Sequence, residues 1–150
     1  MQTIICQNDG ARWDEFVSAH PGGTFFHQWK WREIIATVFG YEPYYLLAEE
    51  RGDIQGVLPL FLVRSLLFGR SLMAMPWAVY GGAVTNTKDA ETLLIQKAMT
   101  IATKHHAKYL ELRGNPYLHQ EPVTATGNSR VAVKQKDLYV TFMCEIDPND

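Results

Sequence analysis

Only two cysteines occur in this chain of 150 residues, too few for the disulfide framework of a small secreted domain. Cys6 and Cys144 each sit in an apolar, β-like segment near one end of the chain. They read as buried free thiols acting as small hydrophobes; the other reading, a disulfide between adjacent terminal strands, is disfavoured in a reducing compartment. No apolar run reaches the roughly 18 residues of a membrane-spanning helix. The start, Met1-Gln2-Thr3-Ile4-Ile5-Cys6-Gln7-Asn8, lacks the basic start and long apolar stretch of a signal peptide, so a cytoplasmic setting is expected. An excess of one charge is missing too. Fourteen basic and sixteen acidic side chains leave a net charge of -2, without the basic excess of a nucleic-acid binder. Arg130, Lys134 and Lys136 share one face of an expected strand whose other face carries Val131 and Val133. They read as a solvated face rather than a phosphate-binding stripe.

Several chemistries lose their signatures as well. There is no Gly-x-Ser-x-Gly nucleophile elbow and no phosphate-binding P-loop. His105 and His106 are adjacent on an expected helix and point apart, His20, His27 and His119 are isolated, and no spacing resembles a zinc site. No metal is therefore expected. No repeat, low-complexity tract or linker interrupts the chain, which reads as one domain over residues 1–150.

The chain does have ample core material, being 47% hydrophobic and 20% charged, which fits a folded globular domain. Residues 3–6 read as a short strand, followed by a turn or cap at Asn8-Asp9-Gly10. Trp13, Phe16 and Val17 fall at i, i+3 and i+4, marking a short amphipathic helix that ends at His20-Pro21-Gly22-Gly23. The aromatic segment Thr24-Phe25-Phe26-His27-Gln28-Trp29 leads into a second helix. Its stripe is Trp31, Ile34, Ile35, Val38 and Phe39, with Gly40 where a C-terminal cap belongs. A hairpin is expected next: strand 44–49, a turn at Glu50-Arg51-Gly52-Asp53, and a return strand 54–63 whose run Val57-Leu58-Pro59-Leu60-Phe61-Leu62-Val63 is apolar on both faces. Pro59 cannot donate to a ladder, which predicts a bulge or a place where neighbouring strands part. Another strand, 71–75, stops at Pro76.

A third helix spans about 89–105, with Leu94, Ala98, Ile101, Ala102 and His105 on one stripe. Asp89 and Glu91 lie in its first turn and Lys104 in its last, complementing the helix dipole. Residues 109–112 form a strand, and 131–133 with 138–146 a final hairpin. The order β-α-α-β-β-β-α-β-β-β describes a mixed α/β sheet covered on both faces.

Several stretches, taken in order, resemble the FemAB family, in particular its members linked to bacterial exosortase (PEP-CTERM) and exopolysaccharide systems. They are Trp13-Asp14-Glu15-Phe16-Val17, Gly23-Thr24-Phe25-Phe26-His27, Trp31-Arg32, Phe39-Gly40-Tyr41, Gly56-Val57-Leu58-Pro59-Leu60, Tyr80-Gly81-Gly82, Leu110-Glu111-Leu112-Arg113 and Asp137-Leu138-Tyr139-Val140-Thr141-Phe142. The resemblance implies a GNAT-like (acyl-CoA N-acyltransferase-like) fold, with a mixed sheet flanked by helices on both faces. It also implies transfer of an aminoacyl or acyl group onto an amine. The acceptor would be a small-molecule or lipid-linked cell-envelope precursor, of peptidoglycan or exopolysaccharide. Because relatives continue past the position of Asp150, the resemblance implies that this chain would be the first of two GNAT-like halves. Its expected partner is the second half, or a second copy joined through the C-terminal strands. Aminoacyl-tRNA or acyl-CoA would be a donor co-substrate, with no cofactor resident in this chain and no direct nucleic-acid binding by this half. The catalytic residues are not identifiable.

The GNAT signature for acyl-CoA is Arg/Gln-x-x-Gly-x-Gly/Ala at a strand-to-helix junction, where backbone N–H groups hold the pyrophosphate. The string Arg51-Gly52-Asp53-Ile54-Gln55-Gly56 puts Ile54 where the first glycine belongs and lies in a hairpin turn, which disfavours a free-standing acyl-CoA enzyme. Tyr80-Gly81-Gly82 follows a strand and precedes the third helix. Its glycines permit close approach of a ligand or merely a tight turn, and Tyr80 reads as a substrate hydrogen-bond donor or acid, or as a packed strand-end residue. In FemAB relatives a segment like Phe26-His27-Gln28-Trp29-Lys30-Trp31 brings a lysine and a tryptophan to the acceptor; here Lys30 is an anion contact or simply exposed, and Trp31 a ligand contact or core. Arg113, at a strand end, suits a phosphate or carboxylate, or a salt bridge to Glu111 or Asp137. The substrate-binding set is thus Lys30, Trp31, Tyr80, Gly81, Gly82 and Arg113. A non-catalytic binding or assembly module is the reading from a different class.

Overall fold

The computed structural model describes residues 1–114. The final hairpin, the Arg130 face, Cys144, His119 and the C-terminal strands expected to join a second half or a second copy lie outside the described residues.

β3 (Asp53–Ser65) is the backbone of the sheet. Its apolar run is buried from Gly56 to Leu62, because its alternating side chains enter two different cores. Leu58, Leu60 and Leu62 join Leu46, Leu72, Leu94 and Ile101 on one face. Val57 and Phe61 join Trp13, Val17, Ile35, Tyr45 and Met75 on the other. The first core lies under α3 (Lys88–Lys104), the second under α1 (Gly10–Ala19) and α2 (Lys30–Phe39). The expected mixed sheet with helices on both faces is therefore observed.

β1 (Gln2–Ile5), β2 (Glu42–Glu50), β3 and β4 (Gly69–Ala74) run antiparallel to their neighbours, and β6 (Leu110–Glu111) adds to β4 in parallel. Parallel neighbours require a long crossover, and α3 supplies it. A two-residue strand that periodicity does not predict, β5 (Val84–Thr85), pairs with Gly56 and Val57 of β3. The bulge in the β2–β3 ladder falls at Ala48/Glu49, while Pro59 pairs in register with Tyr45. On its other side Pro59 lies between the β5 pairing, which reaches Val57, and the β4 pairing, which begins at Leu60. The residue that cannot donate thus marks where two neighbouring strands part, one of the two outcomes expected for it.

α2 ends as its sequence predicts, with Gly40 left-handed at φ 67°. Its stripe is less buried than the spacing suggests: Ile35 is 1% exposed, Ile34 39%, Val38 66% and Phe39 43%.

Candidate functional site

β4 and β6, being parallel, end at the same edge of the sheet, next to the gap beside Pro59. The loop 75–83 leaves β4 at that edge and returns as β5. Ligands of open α/β sheets sit outside the carboxyl ends of strands where neighbours diverge, so this loop and the residues after β6 are the place to look.

The loop is held under strain. Met75 and Trp77 both have left-handed backbones, at φ 42° and 68°, a conformation costly for bulky side chains. Packing on both sides compensates. Met75 is fully buried, with its Sδ 3.8 Å from the Tyr45 hydroxyl, and Trp77 stacks on Phe39 with centroids 5.4 Å apart. Gly81 fits only because it has no side chain: a Cβ there would lie 2.3 Å from the Met75 Cβ. The glycine therefore serves close packing of the loop on itself.

Two histidines fasten the same segment from outside. Thr24 offers its N–H at 3.2 Å and its hydroxyl at 2.8 Å to His27 Nδ1. Nε2 lies 3.1 Å from the Gly82 carbonyl; a carbonyl only accepts, so Nε2 carries the proton. His20 repeats the arrangement, its Nδ1 accepting from Gly22 N–H at 2.9 Å and its Nε2–H donating to the Thr85 carbonyl at 3.1 Å. His27 is fully buried. Burial, opposed by the hydrogen bond to Gly82, pushes its pKa down to about 4, so the ring is neutral near pH 7. The Trp13 indole donates to the His27 carbonyl at 2.7 Å, fixing the turn (Phe25–His27) that carries the ring. Nothing in the spacing of isolated histidines announces this clamp; the nearest signal is Thr24 three residues before His27.

The expected site residues divide into two groups. Tyr80, Gly81 and Gly82 lie in the loop, and Arg113 is brought to it, one guanidinium nitrogen donating to the Ala78 carbonyl. Its Nε pairs with Glu111 at 3.1 Å, one of the two carboxylates expected for it, and the side chain is about a quarter exposed. Lys30 and Trp31 start α2, immediately after the segment tied to Gly82. Lys30 is exposed and ion-paired with Glu33. Trp31 is half-buried against Phe25 and Phe26, at 5.5 Å and 5.7 Å. Among the described residues no hydrogen bond or ion pair joins Lys30 or Trp31 to Arg113.

The N-terminus of α3, directly after the loop, is where an acyl-CoA pyrophosphate would be expected. Here the Thr87 hydroxyl already accepts from Ala90 N–H at 3.2 Å, and Asp89 and Glu91 occupy the first turn. These carboxylates oppose an anion at that end. Among the described residues no group of His, Cys, Asp or Glu is placed to hold a metal ion. No described helix is long and apolar enough to cross a membrane.

Solved structures share this architecture. The chain matches FemX with a TM-score of 0.51 at 23% identity, over 71% of this chain and 25% of that one. It matches a ribosomal-protein-alanine N-acetyltransferase from Brucella melitensis biovar Abortus 2308 at TM-score 0.55 and 12% identity, over 77% and 82% of the two chains. A GNAT family acetyltransferase from Staphylococcus aureus subsp. aureus USA300_TCH1516 matches at 0.52 and 12%, over 89% and 97%. The fold is GNAT-like, shared with the N-acetyltransferases and with FemX, of whose length the match spans a quarter. No protein-family model matches the chain, and no curated protein does.

Proposed function

We propose that the chain is the acceptor-binding part of a FemAB-like acyl- or aminoacyltransferase, acting in the cytoplasm. It would hold an amine-bearing cell-envelope or exopolysaccharide precursor against the loop 75–83 and Arg113. One observation carries this reading: an arginine beyond the end of β6 reaches the strained loop beyond the end of the parallel neighbour β4. A guanidinium is a bidentate partner for phosphate or carboxylate, and its bond to the Ala78 carbonyl is one that an incoming anion can replace. Tyr80 and the backbone of Gly81 and Gly82 would contribute to the same site, and Lys30 and Trp31 would extend it along α2. In this reading general-base chemistry and the donor site belong to a second GNAT-like half.

The capped, acidic start of α3 disfavours acyl-CoA at that helix; the donor of the whole protein, aminoacyl-tRNA or acyl-CoA, would be held by the second half. The reading as an assembly module has its own support. Val38 and Phe39 of α2, with Trp77 and Val79 of the loop, are all more than 40% exposed, and the Phe39–Trp77 stack joins the two elements into one apolar patch.

Calorimetry with a nucleotide-sugar precursor bearing a free amine tests the proposal. Arg113→Ala should weaken its binding at least about tenfold, since a hydrogen bond to a charged group contributes roughly 1.5–3 kcal/mol. Equal affinity for the variant and the natural chain would remove the main support for an acceptor site.

A further inference from the structure

The hairpin between β3 and β4 ends in Leu66-Leu67-Phe68, exposed by 106%, 86% and 77%. Turn chemistry does not ask for them. Phe68 N–H donates to the Ser65 hydroxyl at 3.2 Å, and Gly69 supplies the left-handed residue at φ 82°. Those two flanking residues order the turn, leaving three large apolar side chains at its tip with no role in folding it. A protruding apolar tip of this kind is costly in water.

Its surroundings are basic. Arg64 and Arg70 flank the tip and pair with each other across the ladder. The Lys108 side chain lies over Gly69, its Cε 2.9 Å from where a Cβ would stand, and its N–H donates to the Arg70 carbonyl at 2.8 Å. Both converging segments lack acid: no Asp or Glu occurs between Asp53 and Asp89, or between Glu91 and Glu111. Among the described residues, Glu42, paired with Arg64 at 2.5 Å, is the carboxylate that reaches this end from elsewhere. Among the described residues Arg70 donates to the His105 carbonyl, at 3.2 Å, and pairs with no carboxylate. A chain with net charge -2 thus carries a locally cationic collar around an apolar point.

We propose that this tip docks the protein on an anionic membrane surface, Leu66, Leu67 and Phe68 entering the headgroup–acyl boundary while Arg64, Arg70 and Lys108 meet anionic headgroups. Apolar burial and cationic attraction act together in such interfacial binding, and a convex point suits a deformable lipid surface better than a preformed protein groove. The tip and the loop 75–83 lie at opposite ends of β4, roughly 17 Å apart at the rise of a six-residue strand. Docking and acceptor binding can therefore be perturbed separately.

Co-sedimentation of the full chain with vesicles tests this. Binding to phosphatidylglycerol–phosphatidylcholine vesicles should exceed binding to phosphatidylcholine alone and should fall as salt is raised. Replacing Leu66, Leu67 and Phe68 together by serine should lower vesicle affinity at least about tenfold with the thermal midpoint unchanged. Arg70→Gln with Lys108→Gln should lower it with the tip intact, and Arg113→Ala should leave it unaltered. The proposal is overturned if the natural chain does not bind anionic vesicles, or if the serine variant binds as well as the natural chain. It is equally overturned if the serine substitutions instead convert a dimer to a monomer, which would make the tip a contact between copies.

Discussion

His27 gives the fold a pH dependence that can be worked through. Its folded-state pKa, about 4, lies below the 6.5 of the free side chain because burial penalises the imidazolium. The native state therefore binds fewer protons than the unfolded chain between these values. Its contribution is fully present above pH 6.5 and is lost as pH falls through 4. With those two values the loss is about 2 kcal/mol at pH 5, approaching about 3 kcal/mol below pH 4. In a domain whose total stability is roughly 5–15 kcal/mol, that is measurable. His27→Gln removes the titrating group and leaves the Gly82 carbonyl or the Thr24 N–H without its partner, at a cost of roughly 1–3 kcal/mol at pH 7.5. Urea unfolding of both proteins from pH 7.5 to 4.5 isolates the effect, since every other titrating group is common to the two. The stability difference should shrink as pH falls, by about 2 kcal/mol at pH 5. A difference that stays constant over that range would show that His27 is not held neutral by burial, and the clamp account would be wrong.

Gly81→Ala should destabilise the fold by roughly 1–3 kcal/mol, the usual range for overpacking, because its Cβ meets the Met75 Cβ and Cγ; thermal unfolding reads this directly, and an unchanged midpoint would mean that the loop yields. Acyl-CoA should show no heat of binding to this chain in calorimetry, given the capped and acidic start of α3; saturable binding would restore the free-standing acyltransferase reading.

Periodicity made much of the fold legible. The two-faced run through Leu58, Leu60 and Leu62 against Val57 and Phe61 announced a strand between two cores, and the stripe Leu94, Ala98, Ile101 and Ala102 announced α3. Pro59 marked a place where the ladder must break, by a bulge or a parting of strands, and the parting is what forms. Less was legible where tertiary contacts decide. β5 is two residues long and exists through its pairing with Gly56 and Val57, which leaves no periodic trace. The left-handed backbones of Met75 and Trp77 run against residue preference, with only Pro76 between them as a hint of a break. His27 looks isolated in sequence since its partner, Gly82, is 55 residues away. In α2 the spacing predicts the apolar stripe but not how much of it is covered: Val38 and Phe39 remain largely exposed among the described residues.

In the proposed function an acceptor precursor binds against the loop 75–83 and Arg113. Amide chemical-shift mapping of the full chain during titration with an amine-bearing nucleotide-sugar precursor tests it most directly. The account predicts saturable shifts centred on Trp77, Ala78, Tyr80, Gly81, Gly82 and Arg113, with the Leu66–Phe68 tip silent. No saturable shifts, or shifts that bypass this loop and Arg113, would contradict it.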